Sequence, residues 1–215
     1  MQHTLLPRHS VYHHLPVINT QRIRDCALSL VALQKKGSAA PDTIDMVTAR
    51  EQTSEWLLKT ILNEGQQHSD IVVDRSLSNC LAYNFDNVDN AIIDTGLAKQ
   101  RLQLDSMVKE FATQWFQGDF DCENTGHFWY PPGAYMSWHT NARTPGWRMY
   151  LTLADDEGKS FFRYCNPRSG VIHTSWDKHW DIRLFNVTIE DPLWHCVYSE
   201  TNRFSFGYKL TSRIS

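Results

Sequence analysis

From residue 126 onward the chain is a train of short segments rich in aromatic and β-branched residues, cut apart by Pro, Gly, Asn and Asp. They cover 127–130, 134–139, 147–153, 160–165, 170–175, 182–188, 193–198 and 203–210. Runs of this length with such punctuation are too short for ordinary helices and read as strands. Eight of them at near-even spacing predict two packed antiparallel sheets, a double-sheet jelly roll or a barrel.

The first part of the chain has a different period. Ile23, Cys26, Ala27, Leu30, Val31 and Leu33 recur at helical spacing, and Lys35, Lys36 and Gly37 supply a basic last turn and a stop. A turn follows over 37–42, a second helix is predicted over 48–63, and a third over 102–116 with Leu104, Met107, Val108, Phe111, Ala112 and Trp115 on one face. Residues 1 to about 20 contain Pro7 and Pro16 and suit an extended arm or a first edge strand. The predicted class is α+β, helices packed around a β core. At 215 residues one domain is expected, with 1–125 as N-terminal arm and helical support and 126–215 as the jelly-roll core.

The formal charge of −3 divides into −5 before His127 and +2 from His127 onward. Neither part has the concentrated positive footprint of a nucleic-acid binder, so a small-molecule or peptide partner is the better expectation. Cys26, Cys80, Cys122, Cys165 and Cys196 are scattered, odd in number and without a C-x-x-C pair, which points away from a disulfide framework and toward a reducing cytoplasm. No run approaches the roughly 20 apolar residues that span a bilayer, and no signal pattern is read at the N-terminus, so no membrane partner is expected.

Three pieces of the β region have a spacing that one site would explain. Tyr130-Pro131-Pro132-Gly133 runs into Trp138-His139-Thr140-Asn141; Trp194-His195-Cys196 follows; Arg203-Phe204-Ser205 comes last. Each piece has a plain reading too. A histidine beside tryptophan in a strand is commonly a hydrogen-bonded core residue, Arg203 could be an ion-pair partner, and Tyr130 and Tyr150 could be packed aromatics. His127 and His173 read as sheet residues, His179 as a turn residue, and His3, His9, His13 and His14 as a solvated arm. Asp155, Asp156 and Glu157 with Gly158 read as a hairpin turn, with a carboxylate from that turn as a remote candidate to join a metal.

The order of the pieces resembles the double-stranded β-helix oxygenases that use Fe(II) and 2-oxoglutarate, over about 126–210. Within them the chain looks most like the prolyl-hydroxylase-like group and similar proteins encoded by bacteriophages. Their pattern is His-x-Asp/Glu, a distant His, then Arg-x-Ser. The resemblance implies that His139 and His195 bind iron, that Arg203 and Ser205 hold 2-oxoglutarate, and that Tyr130 contacts it, with Tyr150 a further candidate contact. Two imidazoles and a carboxylate on one face of iron leave positions open for the keto acid and O2. The reaction implied is hydroxylation of a C–H bond, in an amino acid or peptide residue, with release of succinate and CO2. A guanidinium is the best grip for the far carboxylate of 2-oxoglutarate, and residues two apart on a strand face one side, so Arg203 and Ser205 can address it together.

The departure is Asn141, which stands where the pattern has Asp or Glu. A neutral amide in that place removes one negative charge beside a divalent ion and weakens iron binding, partly offset by the two charges of 2-oxoglutarate. Asn141 as a weak third ligand is the favoured expectation. The alternatives are a position left to water or halide, as in related halogenases, and a lapsed site on a jelly-roll binding module. A cupin-type metal protein is a further rival, but it normally presents His-x-His. Trp129, Trp138, Trp147, Trp176, Trp180 and Trp194 lie near the strands that would frame the site, so a flat aromatic entrance is expected, with β-core packing as the plainer role.

Overall fold

The computed structural model describes residues 11–35, 45–65, 81–83 and 96–213, with the backbone alone for 34, 35 and 81–83. The arm residues 1–10, with His3 and His9, and the expected turn at 37–42 lie outside the described residues. In chain order the elements are β1 (Tyr12–Leu15), α1 (Gln21–Lys35), α2 (Met46–Gln52), α3 (Glu55–Asn63), β2 (Leu81–Tyr83), α4 (Leu97–Phe116), β3 (Phe120–Tyr130), β4 (Tyr135–His139), β5 (Gly146–Ala154), β6 (Ser160–Cys165), β7 (Ile172–Trp176), β8 (Trp180–Val187), β9 (His195–Ser199) and β10 (Arg203–Ser212).

Two antiparallel sheets result, a six-stranded one in the order β1-β8-β5-β10-β3-β2 and a four-stranded one in the order β4-β9-β6-β7. The chain passes back and forth between them, placing β3, β5, β8 and β10 in the larger and β4, β6, β7 and β9 in the smaller. The eight expected strand segments are β3 to β10, with β3 starting earlier than predicted.

Period-two alternation gives each sheet two faces. Met149, Leu151, Ile182, Leu184, Phe204 and Phe206 put the outer face of the larger sheet against Ala27 and Leu30 of α1 and Leu104 and Val108 of α4. Trp138, Phe161, Cys196 and Tyr198 put the outer face of the smaller sheet against Ala49 of α2 and Leu58 of α3. A third cluster, with Tyr130 and Phe185 from one sheet and Phe162 and Val197 from the other, fills the space between them.

The helix predicted over 48–63 is two helices, because Ser54 caps a new start: its Oγ accepts from the Leu57 amide at 3.1 Å. The break frees backbone carbonyls that the smaller sheet then satisfies. Ser137 Oγ donates to the Gln52 carbonyl at 2.9 Å, Arg163 Nη1 to that of Thr53 at 2.7 Å, and Trp138 Nε1 to that of Ser54 at 2.8 Å. Helical periodicity carries no sign of this interruption, since its cause lies in strands some 85 residues away.

At the N-terminal end the edge strand is the form adopted over 12–15. β1 pairs with β8 in the register Tyr12↔Phe185 and Leu15↔Ile182, and His14 Nδ1 lies 3.1 Å from Asp181, so His13 and His14 are strand residues and not a solvated arm. Cys26, Cys122, Cys165 and Cys196 are free thiols. No helix among the described residues is long and apolar enough to cross a membrane.

Ser54→Ala removes the cap of α3 at the point where the helices meet the smaller sheet. The expected loss is about 1 kcal/mol, read as a lower urea midpoint with an unchanged slope.

Candidate active site

His139 faces the space between the sheets because β4 is irregular. Tyr135 and Trp138 both belong to the outer core and Met136 to the inner one, a pattern that strict alternation forbids. A register shift between Met136 and His139 resolves it: Ser137 and Trp138 together stand opposite Cys196, and His139 is turned inward to meet His195 as its direct cross-strand partner. The two rings lie 4.1 Å apart between centroids.

Both imidazoles are oriented in the same way. His139 Nδ1 is 2.8 Å from the Ser137 carbonyl and His195 Nδ1 is 2.8 Å from the Leu193 carbonyl. A carbonyl only accepts, so each Nδ1 carries the proton and each Nε2 keeps a lone pair. Burial lowers His139 to about 4 despite its carbonyl partner. Burial also takes His195 well below its usual range, helped by repulsion from His139 and Arg148. Two neutral imidazoles side by side, each with Nδ1 tied to a carbonyl and a lone pair on Nε2, form a pair of nitrogen donors suited to a borderline cation.

Asn141 stands beside this pair. Its backbone is left-handed, with φ of 54°, a conformation that Asn tolerates better than most residues. Its Nδ2 lies 3.2 Å from His195 Nε2, so the amide donates to the lone pair that a metal would take. Among the described residues no three His, Cys, Asp or Glu side chains gather to hold a metal. The hairpin carboxylates are engaged elsewhere: Asp155 accepts from Asn202 and Asp156 from Thr201, beside the start of β10.

Arg203, at 1 % exposure, lies at the other end of the cavity. Its Nε donates to Asp177 Oδ2 at 2.8 Å, its Cζ sits 5.0 Å from the Tyr130 ring centroid, and its Nη1 is buried with no hydrogen-bond partner. Ser205 follows two residues on, beside Thr152 in register. Asp177 also pairs with Arg183 Nη1 at 2.7 Å and accepts from Ser160 Oγ at 2.5 Å; Arg183 in turn reaches Asp181 at 2.9 Å. Burial pushes the Asp177 carboxyl up, but the Arg203 and Arg183 guanidiniums outweigh it and hold the group below the usual carboxylate range. Two buried cations therefore face two carboxylates.

Tyr150 lies between the two ends. Its ring is 4.9 Å from that of Phe185, which is 5.4 Å from His195. Its buried phenol is pushed up by desolvation against the fields of Arg148 and Arg203. Phe162 stacks on His195 at 5.2 Å. The fold thus brings His139 and Asn141 against His195 and sets Tyr130, Arg203 and Ser205 farther along the same inter-sheet space, with Tyr150 between.

No tryptophan forms the aromatic wall. Trp138 and Trp194 pack outward against the helices, Trp129 and Trp180 belong to the other outer core with Trp147 against it, and Trp176 is half exposed. Phenylalanine and tyrosine line the cavity instead. Sequence reasoning also passed over Asp177, Arg183 and Arg148. The signal was present in β5 and β8, where Arg148, Tyr150 and Thr152, and Asp181 and Arg183, hold alternate positions. Polar residues at every second place in otherwise apolar strands mark an inner face that is not simple core.

No family model and no curated protein matches the chain. Among solved structures it is similar to a prolyl-4-hydroxylase of Pseudomonas putida, at 15% identity over 95% of this chain and 94% of that one, with a TM-score of 0.48. A likeness of that size decides nothing about ligand or reaction, which rest on the side chains described above.

The histidine pair makes the metal-free protein acid-sensitive. A histidine whose native pKa lies below its unfolded value near 6.5 leaves stability intact above that value and loses it as pH falls toward about 4, because the unfolded chain takes up the proton first. His139→Asn, which keeps a donor at the Nδ1 position, is expected to shrink the difference in unfolding free energy between pH 7 and pH 5, measured by urea titration at each pH. An unchanged difference overturns the assignment.

Proposed function

We propose that the protein is an Fe(II)- and 2-oxoglutarate-dependent oxygenase on a double-stranded β-helix, hydroxylating a C–H bond of an amino acid or peptide residue. The observation that carries this reading is the in-register pair His139 and His195, each held through Nδ1 so that Nε2 is the atom left for a ligand, in one inter-sheet space with a buried guanidinium whose Nη1 has no hydrogen-bond partner. The passage of the eight strands β3 to β10 between two sheets supports the double-stranded β-helix.

The residues present fit the cofactors. His139 and His195 would hold the iron through Nε2. Asn141 would join as an oxygen donor once its amide turned over and gave up its hydrogen bond to His195. Arg203 would bind the far carboxylate of 2-oxoglutarate through Nη1, with Ser205 and Tyr130 beside it and Tyr150 along the way. Bound there, iron would supply O2 activation and the oxidative decarboxylation of 2-oxoglutarate to succinate and CO2, coupled to oxidation of the substrate C–H bond.

The protein's own residues perform the remaining tasks. The Ser137 and Leu193 carbonyls keep both imidazoles in the tautomer that presents Nε2. Asp177 fixes Arg203 through Nε and leaves Nη1 for the ligand. Phe162, Phe185 and Tyr150 keep water from the space between, which strengthens every charge interaction inside it.

The hydrogen bond from Asn141 to His195 favours a second reading, a binding module that has kept the fold and lost the metal. Succinate formation separates the two. With Fe(II) and 2-oxoglutarate the parent is expected to release succinate, even uncoupled from any substrate, and His195→Ala or Arg203→Ala is expected to abolish it with the circular dichroism spectrum retained. No succinate from the parent, or unchanged release from either variant, rejects the oxygenase site.

Asn141→Asp replaces a hydrogen-bond donor by an anionic ligand that also tolerates a positive φ. The Asp variant is expected to bind Mn(II) at least about tenfold more tightly than the parent without 2-oxoglutarate, since a direct charge contact is worth more than about 1.4 kcal/mol. Equal affinities in a calorimetric titration remove Asn141 from the ligand set.

A further inference from the structure

Three guanidiniums lie on the inner face of the larger sheet, and they are not equivalent. Arg183 and Arg203 share Asp177, and Arg183 also has Asp181. Arg148 is 2 % exposed and, among the described residues, is in contact with no carboxylate, Glu123 acting on it only from across β10. Its Nη2 donates to the carbonyl and, at 2.6 Å, to the Oγ1 of Thr144, which itself bonds through its amide to the Asn141 carbonyl at 3.1 Å. Its Nε and Nη1 are buried with no hydrogen-bond partner.

The contact with Thr144 accounts for one nitrogen and for the shape of the loop bearing Asn141. It does not account for a full positive charge, because a neutral donor would serve a hydroxyl and a carbonyl equally well. A buried cation with two unfilled donors calls for an anion. Arg148 stands at the histidine end of the cavity: its cross-strand partner is Phe185, whose ring lies 5.4 Å from His195. The charge count there is specific to this chain. A carboxylate at position 141 would give the cation an anionic neighbour in the loop that it clamps, whereas Asn141 gives none. Divalent iron with doubly charged 2-oxoglutarate sums to zero, as do Lys209 and Glu123, which follow Arg148 in register across β10 and β3, so one positive charge remains.

We infer that Arg148 binds a carboxylate of the substrate, making the substrate class a small molecule with a free carboxylate, such as an amino acid, and not an internal residue of a peptide. This rests on the oxygenase reading for the word substrate, but the anion site itself does not. Arg148 takes the carboxylate through Nε and Nη1 while Nη2 stays on Thr144, and the adjoining Phe185 and Phe162 rings offer the apolar remainder a dry wall.

The test uses trifluoroacetate as the probe, followed by fluorine NMR line broadening, with trifluoroacetamide as the neutral control. In protein saturated with Mn(II) and 2-oxoglutarate, so that Arg203 is filled, trifluoroacetate is expected to bind and the amide is not. Arg148→Gln is expected to raise the trifluoroacetate Kd about tenfold or more while leaving the affinity for Mn(II) with 2-oxoglutarate within about twofold. Arg148→Lys, which keeps the charge and a donor for Thr144 but loses the planar fork, is expected to retain a weakened response, and serves if the Gln variant does not fold. Trifluoroacetate binding that survives Arg148→Gln overturns the proposal, as does a loss confined to 2-oxoglutarate affinity, which would assign Arg148 to the keto acid. If the parent binds no Mn(II) with 2-oxoglutarate, the oxygenase reading fails alone. The anion site is then decided in the ligand-free protein, where a response removed by Arg148→Gln and kept by Arg203→Gln upholds it and the reverse rejects it.

Discussion

One extra residue in β4 organises the rest. Without the shift that sets Ser137 and Trp138 together against Cys196, His139 would point at the helices, and His195 would face an empty place across the strand pair. The irregularity is secured from outside the sheet. Trp138 and Ser137 are held by carbonyls that the break between α2 and α3 exposes, so a capping serine in a helical region and an inward histidine in a strand belong to one construction. This explains how a bulge, which costs ladder hydrogen bonds, is kept in a tightly packed sheet.

Charge divides the cavity along its length. At the arginine end Arg203 and Arg183 are matched by Asp177 and Asp181, and Arg203 Nη1 has neither a hydrogen bond nor an ion pair among the described residues. At the histidine end two neutral rings and a neutral amide stand near Arg148, which has no carboxylate in contact among the described residues and feels Glu123 only from across β10. On the oxygenase reading an anionic ligand would be drawn to both ends, but for different reasons: at one to complete a network already balanced, at the other to supply a missing charge. The position of Asn141 makes that second demand sharper than a carboxylate would.

The strand segments were legible because turn residues bound them so regularly, and β6 was placed at its true limits, 160–165. His139, Asn141 and His195 were legible as a set because two of them share a short motif and the third follows at a suggestive distance. The break between α2 and α3 was not, because a serine inside a helical stretch looks like any other until its carbonyl neighbours are known. The tryptophans were read as a possible wall from their nearness to the strands, but nearness along the chain does not fix the face, and the bulge moves Trp138 to the opposite one from where alternation would put it. Arg148 and Asp177 escaped notice because their meaning lies in partners present or missing across the fold.

The first strand also has a share in the cavity. Tyr12 stacks on Tyr164 at 4.3 Å and its hydroxyl meets Ser175 and Arg183, so β1 supplies wall to a chamber built almost wholly from the other half of the protein. That closure joins residues 171 positions apart, the kind of pairing that chain entropy defers. The space between the sheets therefore acquires its final boundary only when β1 meets β6, β7 and β8, so the same contacts that close it also hold β1 in place.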